Sequence, residues 1–171
     1  MRLFIAIQFN KEITDSLVQL QEDMKTQGVQ GNYTKPENLH LTTAFIGEYG
    51  NPDEVMNTLE QVTFDPFPIK LDGVGQFGDI FWAGTADSEE LKILVKRIRR
   101  ALSQQEIPFD KKKFSPHITL IRRAWYRHGE KIPVYRTPDT EMTVTSVSLM
   151  KSERGRHGMI YTEIGAIYCR D

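Results

Sequence analysis

The chain holds a single cysteine, Cys169, so no disulfide can form within it, and such sparse thiol usage suits a reducing cytoplasm. It also lacks an excess of charge of either sign, with 22 Lys and Arg against 23 Asp and Glu and a net charge of -1. Without a global basic field to hold long nucleic acid by its backbone, any such contact has to be local. Long apolar runs are missing too. The opening Met1-Arg2-Leu3-Phe4-Ile5-Ala6-Ile7 is interrupted by polar residues too soon for a signal peptide or a membrane span, so a cytoplasmic protein with no membrane partner is expected. Several chemical signatures are absent as well: no His-Glu-x-x-His, no cysteine ligand set, no Gly-x-Ser-x-Gly elbow and no P-loop lysine. Gly73-Val74-Gly75 lacks the rest of a dinucleotide fingerprint and reads as strand and turn punctuation. Neither a metal nor a cofactor is expected. Hydrophobic content of 39% and charged content of 26% are those of an ordinary globule, and 171 residues suffice for one domain or two closely packed lobes.

Only four histidines are present, and two of them stand in the same short phrase, His40-Leu41-Thr42 and His117-Ile118-Thr119. Each phrase runs on into strand-forming residues. Side chains alternate along a strand, so His40 shares a face with Thr42 and His117 with Thr119, while Leu41 and Ile118 point into a core. Around them, Asn10 caps a helix with Ile13, Leu17, Leu20 and Met24 on one stripe, ending near Gly28. Asn51-Pro52-Asp53-Glu54 opens a second, short helix carrying Val55, Met56, Leu59 and Val62. Ile69 to Phe77 and Ile80 to Thr85 predict two strands joined at Gly78-Asp79. Asp87 or Ser88 starts the clearest helix, with Leu91, Leu94, Val95, Ile98 and Leu102 inward. A polar stretch from Arg122 to Pro138 and strands near Met142 to Lys151 and Met159 to Cys169 complete an α+β pattern.

An imidazole titrates near pH ~6.5, so of two held close together one can accept a proton while the other donates one. Cleavage of a phosphodiester requires that division of labour. Thr42 and Thr119 are placed to hydrogen-bond the nonbridging phosphate oxygens, and Arg122, five positions after His117, is the nearest group to neutralise the charge developing there. Lys111-Lys112-Lys113, Arg123, Arg154 and Arg156 read as solvated charges, and His128 and His157 as surface residues. Tyr33 is a candidate to stack on a nucleobase, and Phe9 a weaker one whose bland role is core packing.

At these residues the chain resembles the 2H phosphoesterase superfamily and, within it, the RNA 2',3'-cyclic phosphodiesterases, also known as 2'-5' RNA ligases. The resemblance covers nearly the whole length. Arg2 to Ile7 is similar to the family's opening strand, Pro36-Glu37-Asn38-Leu39-His40-Leu41-Thr42 and Phe45-Ile46-Gly47-Glu48 to its first motif, and Phe77 with Phe81-Trp82-Ala83-Gly84 to its central hairpin. Ser115-Pro116-His117-Ile118-Thr119-Leu120-Ile121-Arg122 resembles the second motif, and Val147 to Ser152 the late strand. Thr43 departs from the usual Leu after the first motif, and Tyr33 from an aromatic position that is commonly Trp.

The resemblance implies one bilobal α+β domain over residues 1–171. Two pseudo-twofold lobes with antiparallel sheets would surround a central cleft, with helices on the outside. It implies metal-independent hydrolysis of RNA 2',3'-cyclic phosphate ends to 2'-phosphates, with reversible 2'-5' joining as a second reaction. His40 would be the general acid and His117 the general base, and Thr42, Thr119 and Arg122 would bind phosphate. RNA ends or nucleotides bearing the cyclic phosphate are the expected partners, and a monomer is the default state. Two other functions stay open. One is hydrolysis of another small cyclic phosphate, such as a cyclic nucleotide or an ADP-ribose derivative; the other is a noncatalytic RNA-end binding module.

Overall fold

The computed structural model describes residues 1–127 and 135–171. His128 and much of the predicted polar stretch fall outside them. The described elements are β1 (Arg2–Gln8), α1 (Lys11–Thr26), β2 (Val29–Tyr33), β3 (His40–Glu48), α2 (Pro52–Leu59), β4 (Phe67–Phe77), β5 (Ile80–Thr85), α3 (Glu89–Gln104), β6 (Ile118–Tyr126), β7 (Glu141–Val144), β8 (Ser146–Gly155) and β9 (Gly158–Tyr168). All three helices begin where a polar side chain takes up an orphan amide. Asn10 Oδ1 accepts from the Ile13 N–H at 3.0 Å, Asn51 Oδ1 from Glu54 at 3.2 Å and Ser88 Oγ from Leu91 at 3.2 Å.

The strands form two antiparallel sheets, β3-β1-β8-β9 and β2-β6-β5-β4-β7. Without the edge strand β2 the two orders correspond: β3-β1-β8-β9 matches β6-β5-β4-β7. In each, the strand associated with a histidine motif pairs with the strand that precedes it across a helix. That is the expected α+β architecture of two related lobes. The helix α1 leaves the first sheet and packs on β2, β6 and β7 of the second, whereas α3 leaves the second and packs on β3, on β4 and on α2. Leu41 of the first motif and Ile118 of the second are fully buried in one core cluster that draws on both sheets. Truncating either to Ala would cost about 2–5 kcal/mol.

Four expectations need correction. The predicted single strand from Met142 to Lys151 is two strands in different sheets. Its β7 half adds to β4 through Phe67↔Val144, and after Thr145 the chain crosses to pair β8 with β1. The polar stretch predicted from Arg122 begins too early, because β6 continues to Tyr126, paired with a strand not foreseen, β2. Gln30, Gly31 and Asn32 lack the apolar alternation that announces a strand. Val62 is buried but lies beyond the end of α2. His117 lies one residue before β6 rather than within it. Among the described residues no helix is long and apolar enough to cross a membrane.

Candidate active site

Pro36 to Asn38 form one turn of 3-10 helix, in which the Asn38 N–H donates to the Lys35 carbonyl at 2.8 Å and the Asn38 side-chain amide to the Met159 carbonyl at 3.0 Å. The turn is thereby tied to β9, and its own carbonyls are set beside the start of β3. His40 Nδ1 lies 2.7 Å from the Asn38 carbonyl. A carbonyl only accepts, so Nδ1 carries the hydrogen and Nε2 is the atom left to exchange a proton. Thr42 Oγ1 lies 3.0 Å from that Nε2, donating to it when the ring is neutral and accepting when it is charged. Phe4 packs against the imidazole with ring centroids 4.9 Å apart, and Tyr161 edge-on at 5.3 Å. Burial among these rings is the main cause of a pKa lowered from the ordinary value of 6.5. The Asn38 hydrogen bond opposes the shift, and the charges of Arg122 and His117 add to it.

The second histidine repeats the device. Pro116 restrains Ser115 to an extended backbone, and His117 Nδ1 lies 2.8 Å from the Ser115 carbonyl, again two residues upstream. Again Nε2 is left for chemistry. Phe77 packs edge-on at 5.2 Å and Trp82 at 6.3 Å. Trp82 pairs across the hairpin with Gly75, where an added Cβ would sit 2.2 Å from the indole. The glycine is therefore required by the ring that flanks His117, which the sequence reading as turn punctuation missed.

Strict alternation over the five residues from His117 would turn Arg122 away from the imidazole's face. Register decides otherwise. Trp82 pairs with Thr119 but Phe81 pairs with Ile121, so Leu120 is an extra residue in β6, a β-bulge. Leu120 and Ile121 are both fully buried in succession, and Arg122 returns to the side of His117 and Thr119. Its charge acts on His40 from there. His40, far from the other two in the chain, thus shares one electrostatic environment with His117 and Arg122.

Beside His40 and its neighbours Asn38 and Tyr161 opens a cavity of about 870 Å3, whose lining includes Tyr33, Arg122, Arg123 and Arg154. Tyr33 donates its hydroxyl to the Val29 carbonyl at 2.7 Å and carries Lys25 Nζ 4.9 Å from its ring centre. Burial pushes its pKa up to about 12. Arg123 and Arg154, read from sequence as solvated charges, are exposed but border this cavity, and Tyr161 was not foreseen at all. His157 and Lys111-Lys112-Lys113 are exposed as expected. Phe9 packs against the core, and Thr43 is fully buried with its hydroxyl on the Ile5 carbonyl at 3.0 Å. Among the described residues no three His, Cys, Asp or Glu side chains gather as a metal set. Neither His40 nor His117 lines the cavity beside Tyr33 and Arg122 itself, which borders their neighbours, and neither lines a second groove of about 770 Å3 between α3 and Phe109 to Phe114.

Two antiparallel sheets, three helices and one His-x-Thr phrase on each lobe define the class of the two-lobed 2H phosphoesterases, and solved structures agree. E. coli LigT complexed with 3'-AMP superposes with a TM-score of 0.86 at 25% identity, covering 99% of this chain and 98% of that one. A model of the 2'-5' RNA ligase superfamily matches residues 14–156, and the chain belongs to that superfamily. Similar curated proteins are the RNA 2',3'-cyclic phosphodiesterases of Archaeoglobus fulgidus, 30% identical over 96% of this chain and 98% of the relative, and of Aquifex aeolicus, 28% identical over 98% and 96%.

Proposed function

We propose that the protein hydrolyses RNA 2',3'-cyclic phosphate ends to 2'-phosphates, with His40 and His117 as the proton carriers. The observation that carries this reading is the shared device of the two imidazoles: each commits Nδ1 to a backbone carbonyl two residues upstream and keeps Nε2 for exchange. His117 Nε2 takes a proton from water, whose oxygen attacks phosphorus. The P–O3' bond breaks, and O3' takes the proton on His40 Nε2, leaving a 2'-phosphomonoester and a free 3'-hydroxyl. Arg122, Thr42 and Thr119 hold the nonbridging oxygens as negative charge builds.

Without bound anion, burial above all, with the charges of Arg122 and His117 adding to it, favours neutral His40. A phosphodiester anion offsets the Arg122 charge and draws a proton onto His40 Nε2 while His117 stays neutral as the base, and a lowered proton affinity makes the His40 imidazolium a strong acid toward O3'. Replacing water by the 5'-hydroxyl of a second RNA breaks the same P–O3' bond and forms a 2'-5' linkage, so ligation uses the same groups. Tyr33 offers the terminal base a partly covered aromatic surface.

The test is turnover of a 2',3'-cyclic-phosphate-ended oligonucleotide in chelator. Activity should persist for the wild type, while His40→Ala and His117→Ala each lower kcat by about 10²–10⁴-fold. Wild-type turnover by both variants would place the chemistry elsewhere, and tight binding with no turnover by any form would leave a binding module. Substituting sulfur for the bridging O3' assigns the roles. Thiolate departs without a proton, so the His40→Ala defect should shrink and the His117→Ala defect persist.

A further inference from the structure

Arg123 has a left-handed backbone, φ 53°, in the middle of a strand. That conformation is uncommon for a residue with a Cβ, and it persists only where its surroundings impose it. Here they do. Gln30 pairs with Trp125 but Asn32 with Arg122, so β6 carries a second extra residue, now against β2. The Ala124 N–H on the far side is held by the Asp79 carbonyl in the β4–β5 turn at 2.8 Å. The partner strand supplies Gly31 at the same place, where a Cβ would meet Ile121 at 2.6 Å and the Arg122 carbonyl at 2.9 Å. The result is two consecutive exposed arginines, Arg122 and Arg123, bordering one cavity, where alternation would have separated them.

The cavity's other properties point to its occupant. At about 870 Å3 it stands near the top of the roughly 300–1,000 Å3 range of small-molecule sites. Arg154 faces it from β8, and among the described residues no carboxylate lines it. Lys35 is engaged by the His157 carbonyl at 2.7 Å and Lys25 by the Tyr33 ring, whereas among the described residues no ion pair engages Arg122, Arg123 or Arg154. Arg122 acts on His40 and so belongs at the reacting phosphate; its neighbour Arg123 is one step further along the strand and lines the same cavity.

We propose that Arg123, turned into the cleft by the bulge opposite Gly31, binds a backbone phosphate of the RNA upstream of the reacting end and so makes the enzyme prefer polynucleotide over mononucleotide ends. This rests on the function proposed above. It makes Arg123 a specificity residue, distinct from the groups at the reacting phosphorus.

The experiment compares wild type with Arg123→Ala, Arg123→Lys and Arg123→Gly on a nucleoside 2',3'-cyclic phosphate and on an oligonucleotide with the same terminus. For Arg123→Ala, KM for the oligonucleotide should rise about tenfold at constant kcat, and the preference over the mononucleotide should fall by the same factor. The salt dependence of oligonucleotide affinity should flatten by about 0.7 in logarithmic slope, one phosphate contact on a single strand. Arg123→Lys should keep that slope. Arg123→Gly should lose it while raising the melting temperature, because glycine adopts the left-handed backbone without strain. Equal loss on both substrates, or an unchanged oligonucleotide KM, would overturn the assignment. Fluorescence anisotropy with a 2'-phosphate-ended oligonucleotide reads the contact without turnover. Absence of hydrolysis by wild type with intact Arg123-dependent binding would therefore sink the enzymatic reading and spare this one.

Discussion

Five places after His40 stands Phe45; five places after His117 stands Arg122. Up to that point the lobes match closely. Both imidazoles hold a carbonyl two residues upstream, both are flanked by a pair of aromatic rings, and both strands insert an extra residue immediately after the threonine, Thr43 in β3 and Leu120 in β6. Each inserted residue is fully buried. The bulge then returns the next odd-numbered step to the histidine's face, which in the first lobe adds Phe45 to an apolar cluster of Phe4, Ala6, Met150 and Tyr161. In the second lobe the same step delivers a guanidinium. One device of backbone geometry thus surrounds one imidazole with hydrocarbon and equips the other side of the cleft with positive charge. Two groups of identical chemistry acquire different surroundings, which is the condition for different roles.

The largest effect should come from erasing the difference at its source. Arg122→Phe, which gives the second lobe the first lobe's residue, should lower kcat on cyclic-phosphate ends by about 10²–10³-fold, as much as Arg122→Ala. Arg122→Lys should recover part of it, because a lysine carries the charge without the planar fork. Steady-state kinetics decide, and full activity in the phenylalanine variant would remove Arg122 from the reacting phosphate. A smaller effect is expected from Gly75→Ala, which touches no reacting group but drives Trp82 from its place beside His117. A kcat loss of about tenfold with KM nearly constant would show that the aromatic wall positions that imidazole. An unchanged kcat would make the wall mere packing.

The smallest effect concerns stability. Because the folded pKa of His40 lies below 6.5, the unfolded chain takes up its proton first as the pH falls. The contribution of neutral His40 is present above pH 6.5 and is lost as pH drops from there through the depressed folded pKa. Urea unfolding at pH 7.5 and pH 5 should show a steeper loss for wild type than for His40→Gln. Equal slopes would mean that the apolar cluster does not govern the first imidazole.

Much of this was legible in the linear chain for local reasons. Asn10, Asn51 and the pair Asp87-Ser88 announce helix starts because capping involves residues three apart, and the structure selects Ser88 as the third cap. The stripe of α3 and the Gly78-Asp79 hairpin follow from periods of 3.6 and 2 and from a turn residue at φ 59°. The two His-x-Thr phrases declare which residue types to watch. What escaped depends on partners distant in sequence. Strand β2 is polar and Gly-containing, and forms because β6 offers it a paired edge. The run from Met142 to Lys151 divides at Thr145 because β4 claims one half and β1 the other. Arg123 was read as solvated, since nothing local indicates that a bulge turns it toward the cleft.

The amino-acid order alone determined the two imidazole phrases, the alternation that buries Leu41 and Ile118 beneath them, and the helices that separate each pair of strands, because all of these are set by neighbours within a few residues. Tertiary structure decided which sheet each strand joined, that the two imidazoles share one electrostatic environment, and that Arg122 and Arg123 border one cavity. Those outcomes turn on the register between strands. A single unpaired residue, Leu120 against β5 or Arg123 against β2, reverses the face of everything after it, and only the partner strand can impose that.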